Sequence, residues 1–188
     1  MEARSLRNLP QFTMCVLSFV VALSATAQTD APRSYTAGGR TIHYKLTVFD
    51  PPIPVRPDPN RLNQDTAVNC TILFLSKLHD GDLEGAAAMT TDPPTTLKLY
   101  QAAKARLGEA EFSNKMAKLF NGDRYQFELV DGSEHLLVGE KHPDGAQAVV
   151  ARDGKFWMDR QKFQHESQEF RDLFVLVNAH AAGKLAFK

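Results

Sequence analysis

The sequence predicts an α+β domain, with N-terminal helices packed on a curved antiparallel sheet and a C-terminal helix closing it. Three observations predict this. Apolar residues recur at helical spacing over 65–120, at a period of two over 124–158, and at helical spacing again over 163–181. Three turn signals, Asp131-Gly132, Pro143-Asp144-Gly145 and Asp153-Gly154, punctuate the middle stretch at hairpin spacing. The 188 residues suit one domain with a real core, and 43% hydrophobic with 23% charged residues places the chain in the globular class.

The chain opens with an export pattern. Arg4 and Arg7 stand against Glu2, residues 15–23 (CVLSFVVAL) carry no charge, and Ala25 and Ala27 give an A-x-A site. A basic stretch, a short apolar stretch and small residues at −3 and −1 make a secretory signal peptide over 1–27, cleaved after Ala27. A membrane anchor would need about 20 apolar residues. Thr13 and Met14 before Cys15 do not make a lipoprotein site. The expectation is a secreted or periplasmic protein with no membrane span after cleavage.

Residues 28–61 read as an N-terminal strand and a Pro-rich spacer. Residues 28–39 are polar and Gly-containing, a loose start. Over 40–49, Ile42, Tyr44, Leu46 and Val48 alternate with Thr41, His43, Lys45 and Thr47, a strand. Pro51, Pro52, Pro54, Pro57 and Pro59 then favour polyproline II.

The main domain occupies 62–188. Asp65 can cap a helix to His79, with Val68, Ile72, Leu75 and Leu78 near one stripe and Gly81 as C-cap. An Ala-rich helix over 82–89 follows. Asp92-Pro93-Pro94 breaks the chain, and Thr95 or Thr96 caps a third helix with Leu97, Tyr100, Lys104 and Leu107 at helical spacing. Gly108 interrupts it before a helical stretch over 109–120. Four strands are expected over 124–130, 135–139, 146–151 and 155–158, with Tyr125, Phe127 and Leu129 on one face of the first. If Asp131-Gly132 is the first turn, Tyr125 and His135 lie across that hairpin. Such a sheet has one face to cover, and Phe170, Leu173, Phe174 and Val177 on the last helix suit that task.

Two stretches carry a resemblance. Residues 74–87 (FLSKLHDGDLEGAA) look like the opening of nuclear-transport-factor-two-like (cystatin-like cone) domains, where a first helix ends at Gly-Asp and an Ala-rich helix follows. Residues 150–158 (VARDGKFWM) are similar to that family's late hairpin, with a Trp after an Asp-Gly-Lys turn. The resemblance covers about 64–159 and departs from the family in having four core strands rather than six and a long helix after them. It implies a cone-like fold with a pocket between the helices and the concave sheet face. Members include isomerases, dehydratases, cyclases, ligand binders and inactive assembly modules, so the fold alone selects no function.

Tyr100, Tyr125, His135, Trp157 and Asp159 are the residues expected to line such a pocket as ligand-binding groups. No catalytic residue is assigned, because the residues that act in the isomerases have no counterpart here and aromatics on an inner sheet face are usually core. The leading expectation is a non-catalytic exported domain that binds a small apolar ligand or an exported protein partner, with a homodimer left open. The alternative is an isomerase, dehydratase or cyclase using general acid–base chemistry, for which an open pocket holding a carboxylate or His of shifted pKa, facing a Tyr, would be the mark.

Other chemistries lack their signatures. Lys+Arg and Asp+Glu number 22 each, so no cationic surplus invites nucleic acid. Histidines 43, 79, 135, 142, 165 and 180 are scattered and form no metal motif. Asp80, Asp82, Glu84 and Gly85 imitate half a calcium loop, but the twelfth position is Thr91 rather than Glu. No Gly-rich phosphate loop or G-x-S-x-G is present, and no metal or other cofactor is expected. Cys70 reads as a buried small hydrophobe, and the triplet Asn69-Cys70-Thr71 falls inside a helix.

Overall fold

The computed structural model describes residues 32–141, 146–159 and 167–187, and the backbone of 26–29. The signal stretch up to residue 25, the turn at Pro143-Asp144-Gly145 and Phe163 lie outside the described residues. The fold is mixed α/β with an antiparallel sheet. Its elements run β1 (Thr26–Thr29), β2 (Arg33–Ala37), β3 (Arg40–Pro54), α1 (Ala67–His79), α2 (Leu83–Ala87), α3 (Pro93–Leu107), α4 (Glu109–Ala117), β4 (Arg124–Asp131), β5 (Glu134–Gly139), β6 (Gln147–Arg152), β7 (Lys155–Met158) and α5 (Gln168–Ala181).

The strands pair in the order β1-β3-β4-β5-β6-β7, and β2 also pairs with β3. The N-terminal stretch is therefore more structured than its polarity suggested. Gly38 and Gly39 both take positive φ (56° and 78°), which a two-residue primed turn requires. That turn brings Ala37 opposite Arg40 and Arg33 opposite Tyr44. The expected cleavage bond after Ala27 falls within β1, which lies along Thr47–Asp50 of β3.

β3 also corrects the spacer. The strand does not stop at Phe49 but runs through Pro51 and Pro52 to Pro54, pairing Ile53 with Tyr125 and Pro54 with Arg124. The prolines fit because the ladder with β4 skips between Val48 and Ile53, where their missing N–H groups are not needed.

The helices cap as side-chain chemistry dictates. Thr66, not Asp65, caps α1 by accepting the Asn69 N–H. Asp82 caps α2 through Gly85 N–H. Asp92 caps α3, so Pro93 and Pro94 open that helix instead of breaking the chain, since the first turn needs no N–H donors. Ser167 caps α5.

The sheet is covered on both faces, where one was expected to need cover. α1 lies against β5, β6 and β7, while α5 lies against β4 and β5 on the other side. One core joins Phe49, Ile53, Tyr125, Leu137, Val149 and Met158 to α1 and α2. The second joins Ile42, Leu46, Phe127, Leu129, Leu136 and Val138 to Phe170, Leu173 and Leu176 of α5. Leu136, Leu137 and Val138 are all 0% exposed, so β5 is buried on both sides. Such burial stabilises by about 1.5–3 kcal/mol per large side chain. The β7 edge is sealed as well: Thr91 N–H donates to Met158 O, Met158 N–H to Met89 O and Phe156 N–H to Gln64 O.

Candidate functional site

The β-meander has an irregularity that decides where the aromatic residues go. The β4–β5 register shifts between Tyr125 and Phe127. Phe127 and Leu129 enter the α5-side core, as their common parity demands, but Tyr125 is turned onto the α1 side. This corrects the expectation that all three share one face.

The first turn is also one residue later than Asp131-Gly132 implied. Asp131 pairs with Glu134 and Val130 with His135, so Gly132 and Ser133 form the loop. Tyr125 stands opposite Gly139, not near His135. A one-residue change in turn position moves every pair along the ladder.

Turned inward, Tyr125 lines a cavity of about 250 Å³ with Val55, Leu75, Lys118, Leu119, Asn121, Asp123, Gly139 and Gln147. Val55 continues from β3, Leu75 comes from α1, and Lys118 and Leu119 follow α4. The walls thus combine three aliphatic side chains and the Tyr125 ring with the polar Lys118, Asn121, Asp123 and Gln147. Asp123 is buried at 8% exposure. Its Oδ1 accepts the Arg124 and Lys141 N–H groups, each at 2.8 Å, while its own N–H donates to Asn121 Oδ1. Its carbonyl accepts Val55 N–H. One residue therefore ties together the ends of β3, β4 and β5.

The approach is close because position 139 is glycine. A β-carbon there would lie 3.0 Å from Asp123 Cγ and nearer still to Oδ2. Burial holds the Tyr125 phenol above its ordinary pKa of 10.0, and the Asp123 charge adds to the shift. Tyr125 is a neutral donor throughout the physiological range. Neither the Tyr125 hydroxyl nor Asp123 Oδ2 makes a hydrogen bond to a described residue.

The other four expected residues are not gathered around this cavity. Tyr100 lies on α3, packed against the α1-side core. His135 pairs with Val149, which pairs with Met158, placing all three on the α1 face. Trp157 pairs with Val150, which pairs with Glu134, placing Trp157 on the opposite face from His135. Its indole N–H reaches Arg152 O at 3.4 Å. Asp159 is buried just after β7, with its N–H on Ala148 O.

His135 has a separate arrangement, with Nδ1 2.6 Å from Glu128 Oε1 and its ring edge-on to Phe156 at 4.9 Å. The calcium-like acids are accounted for by helix capping, since Asp82 bonds Lys77 Nζ and Gly85 N–H. These bonds, that to Lys77 foremost, hold its carboxyl below the ordinary 3.8. Among the described residues, no group of three or more His, Cys, Asp or Glu is placed to hold a metal. No described helix is long and apolar enough to cross a membrane.

Sequence reasoning missed Asp123. Its signal was present: Asn121-Gly122 announces a turn, and a residue two before Tyr125 on an extended chain shares its face. Comparison with protein-family models, with curated proteins and with solved structures finds no match for this chain.

Proposed function

We propose that this chain is an exported, non-catalytic domain that binds a small ligand in the cavity between α1, the end of α4 and the sheet. The cavity lined by Tyr125 and Asp123 carries the reading: Val55, Leu75, Leu119 and the Tyr125 ring supply apolar contact, and the polar groups among them supply orientation. Its volume lies below the ~300–1,000 Å³ usual for drug-sized ligands, which favours a small one. Export rests on the basic, apolar and A-x-A segments of residues 1–27. A cone-like sheet of the nuclear-transport-factor-two-like kind is supported by the two register shifts, since bulges bend strands, and by α1 lying over one face.

A ligand present at 100 times its Kd adds about 2.7 kcal/mol to unfolding. Thermal scans with small amphiphiles should therefore raise Tm, and Leu119→Trp, which fills the cavity, should remove that rise while the protein still folds. Equal shifts in both proteins would exclude this cavity as the site. For export, mass spectrometry of the protein recovered outside the cytoplasm should find Gln28 as the first residue.

A second reading is favoured by a carboxylate and a phenol sharing the cavity: general acid–base isomerisation or dehydration. Against it, Asp123 Oδ1 is engaged by two backbone donors, which suits a structural anion better than a base. Turnover of a bound carbonyl compound, lost in Asp123→Asn, would decide for the enzyme.

A further inference from the structure

We infer that the cavity selects a small neutral ligand carrying both a hydrogen-bond acceptor and a hydrogen-bond donor, as the cis amide of a lactam does. The inference rests on the binding reading above and names the ligand class that reading leaves open.

Two polar atoms at the cavity are complementary, and neither bonds a described residue. Asp123 immediately precedes β4 and Tyr125 is its second residue, and both line the cavity. The Tyr125 hydroxyl offers a proton. Asp123 Oδ2 offers lone pairs, because the Arg124 and Lys141 N–H groups both donate to Oδ1.

The carboxylate cannot swing away to satisfy itself. Two N–H groups pin Oδ1, and Oδ2 occupies the space that a side chain at 139 would take. A ligand that dries the cavity must give the phenol an acceptor and the carboxylate a donor, or leave buried polar groups without partners. An aliphatic molecule fails both demands.

Charge narrows the class further. Asp123 and Lys118 both line the cavity and cancel, so its walls carry no net charge. A carboxylic acid would bring its anion against Asp123, a like charge. Lys141, whose backbone N–H bonds Asp123 and whose Nζ lies 3.5 Å from where a β-carbon on Gly122 would be, is a further described cation near Asp123 that would draw an acid. An acid probe therefore tests the inference directly.

Amide-proton NMR titrations of the folded protein with δ-valerolactam, valerate and benzene provide the test. The lactam should shift Leu119, Tyr125 and Gly139 saturably, with a Kd at least fivefold below those of valerate and benzene. Asp123→Asn keeps the Oδ1 acceptor but turns Oδ2 into a donor, and Tyr125→Phe removes the hydroxyl. Each should weaken the lactam at least fivefold. Tighter binding of valerate or benzene, or unchanged lactam affinity in both variants, overturns the selectivity and leaves the binding reading standing. No shift at these residues with any probe overturns both.

Discussion

Gly139 and Asp123 interlock: the space beside the glycine Cα is filled by the carboxylate that joins three strand ends. Gly139→Ala should displace that carboxylate from its two backbone donors and destabilise the fold by about 2–3 kcal/mol. Asp123→Ala should lose a similar amount. The double variant should lose less than the sum of the two, because the second change removes what the first collides with. Urea midpoints of the four proteins measure this coupling, and strict additivity would contradict the interlock.

Tyr125 separates stability from binding. Its ring is 4% exposed and belongs to the α1-side core. Tyr125→Ala should lose about 3–5 kcal/mol, as other large aromatic truncations do. Tyr125→Phe removes only a hydroxyl that bonds no described residue, so its stability should stay within about 0.5 kcal/mol of the parent. A large loss in the Phe variant by urea denaturation would show that the hydroxyl is bonded within the fold.

Asp131 supplies a pH signature. Burial raises its carboxyl above the ordinary 3.8, and Glu169 adds to this, while His43 and Arg40 oppose it. The folded protein thus binds this proton more tightly than the unfolded chain. The group's favourable contribution is complete below pH 3.8 and is lost as pH rises through the folded value. Asp131→Asn should therefore be more stable than the parent at neutral pH, with the difference shrinking under acid. Asn also suits the position before the Gly132-Ser133 loop. Equal midpoints at pH 7 would refute the assigned strain.

Cys70 should be chemically silent in the native state. It is fully buried, its thiol lies 3.2 Å from Phe156 O, and burial pushes its pKa up to about 12. Thiolate is then scarce at pH 8 and shielded as well. A thiol-specific reagent should label Cys70 only after denaturant is added, and fast native labelling would count against this packing.

The middle of the chain was the most legible part, because Asp153-Gly154 enforces a tight turn and the Val-rich β6 has no rival reading. β2 was hidden because Ser34, Tyr35 and Thr36 show no apolar alternation, so its only clue was Gly38-Gly39. Pro51 and Pro52 argued for a spacer because sequence alone does not reveal that the ladder skips there. The unbroken apolar run Leu136-Leu137-Val138 carries the signal of a strand buried on both faces, which the expectation of one covered face overlooks. In the candidate site, Tyr125 was found and Asp123 was not. A single-residue bulge and a one-residue shift in the first loop set Tyr125 opposite Gly139 rather than beside His135. Such offsets depend on three-dimensional pairing and leave no periodic trace.

Because one layer of backbone divides the interior, the molecule has two dry compartments with separate upkeep. Changes beneath α5, such as Phe170→Ala or Leu173→Ala, should sum with those around Leu75 or Leu119, since the sets lack shared neighbours. Evolution or an engineer is thereby free to reshape the Tyr125 cavity on one side while the opposite side keeps the polypeptide folded.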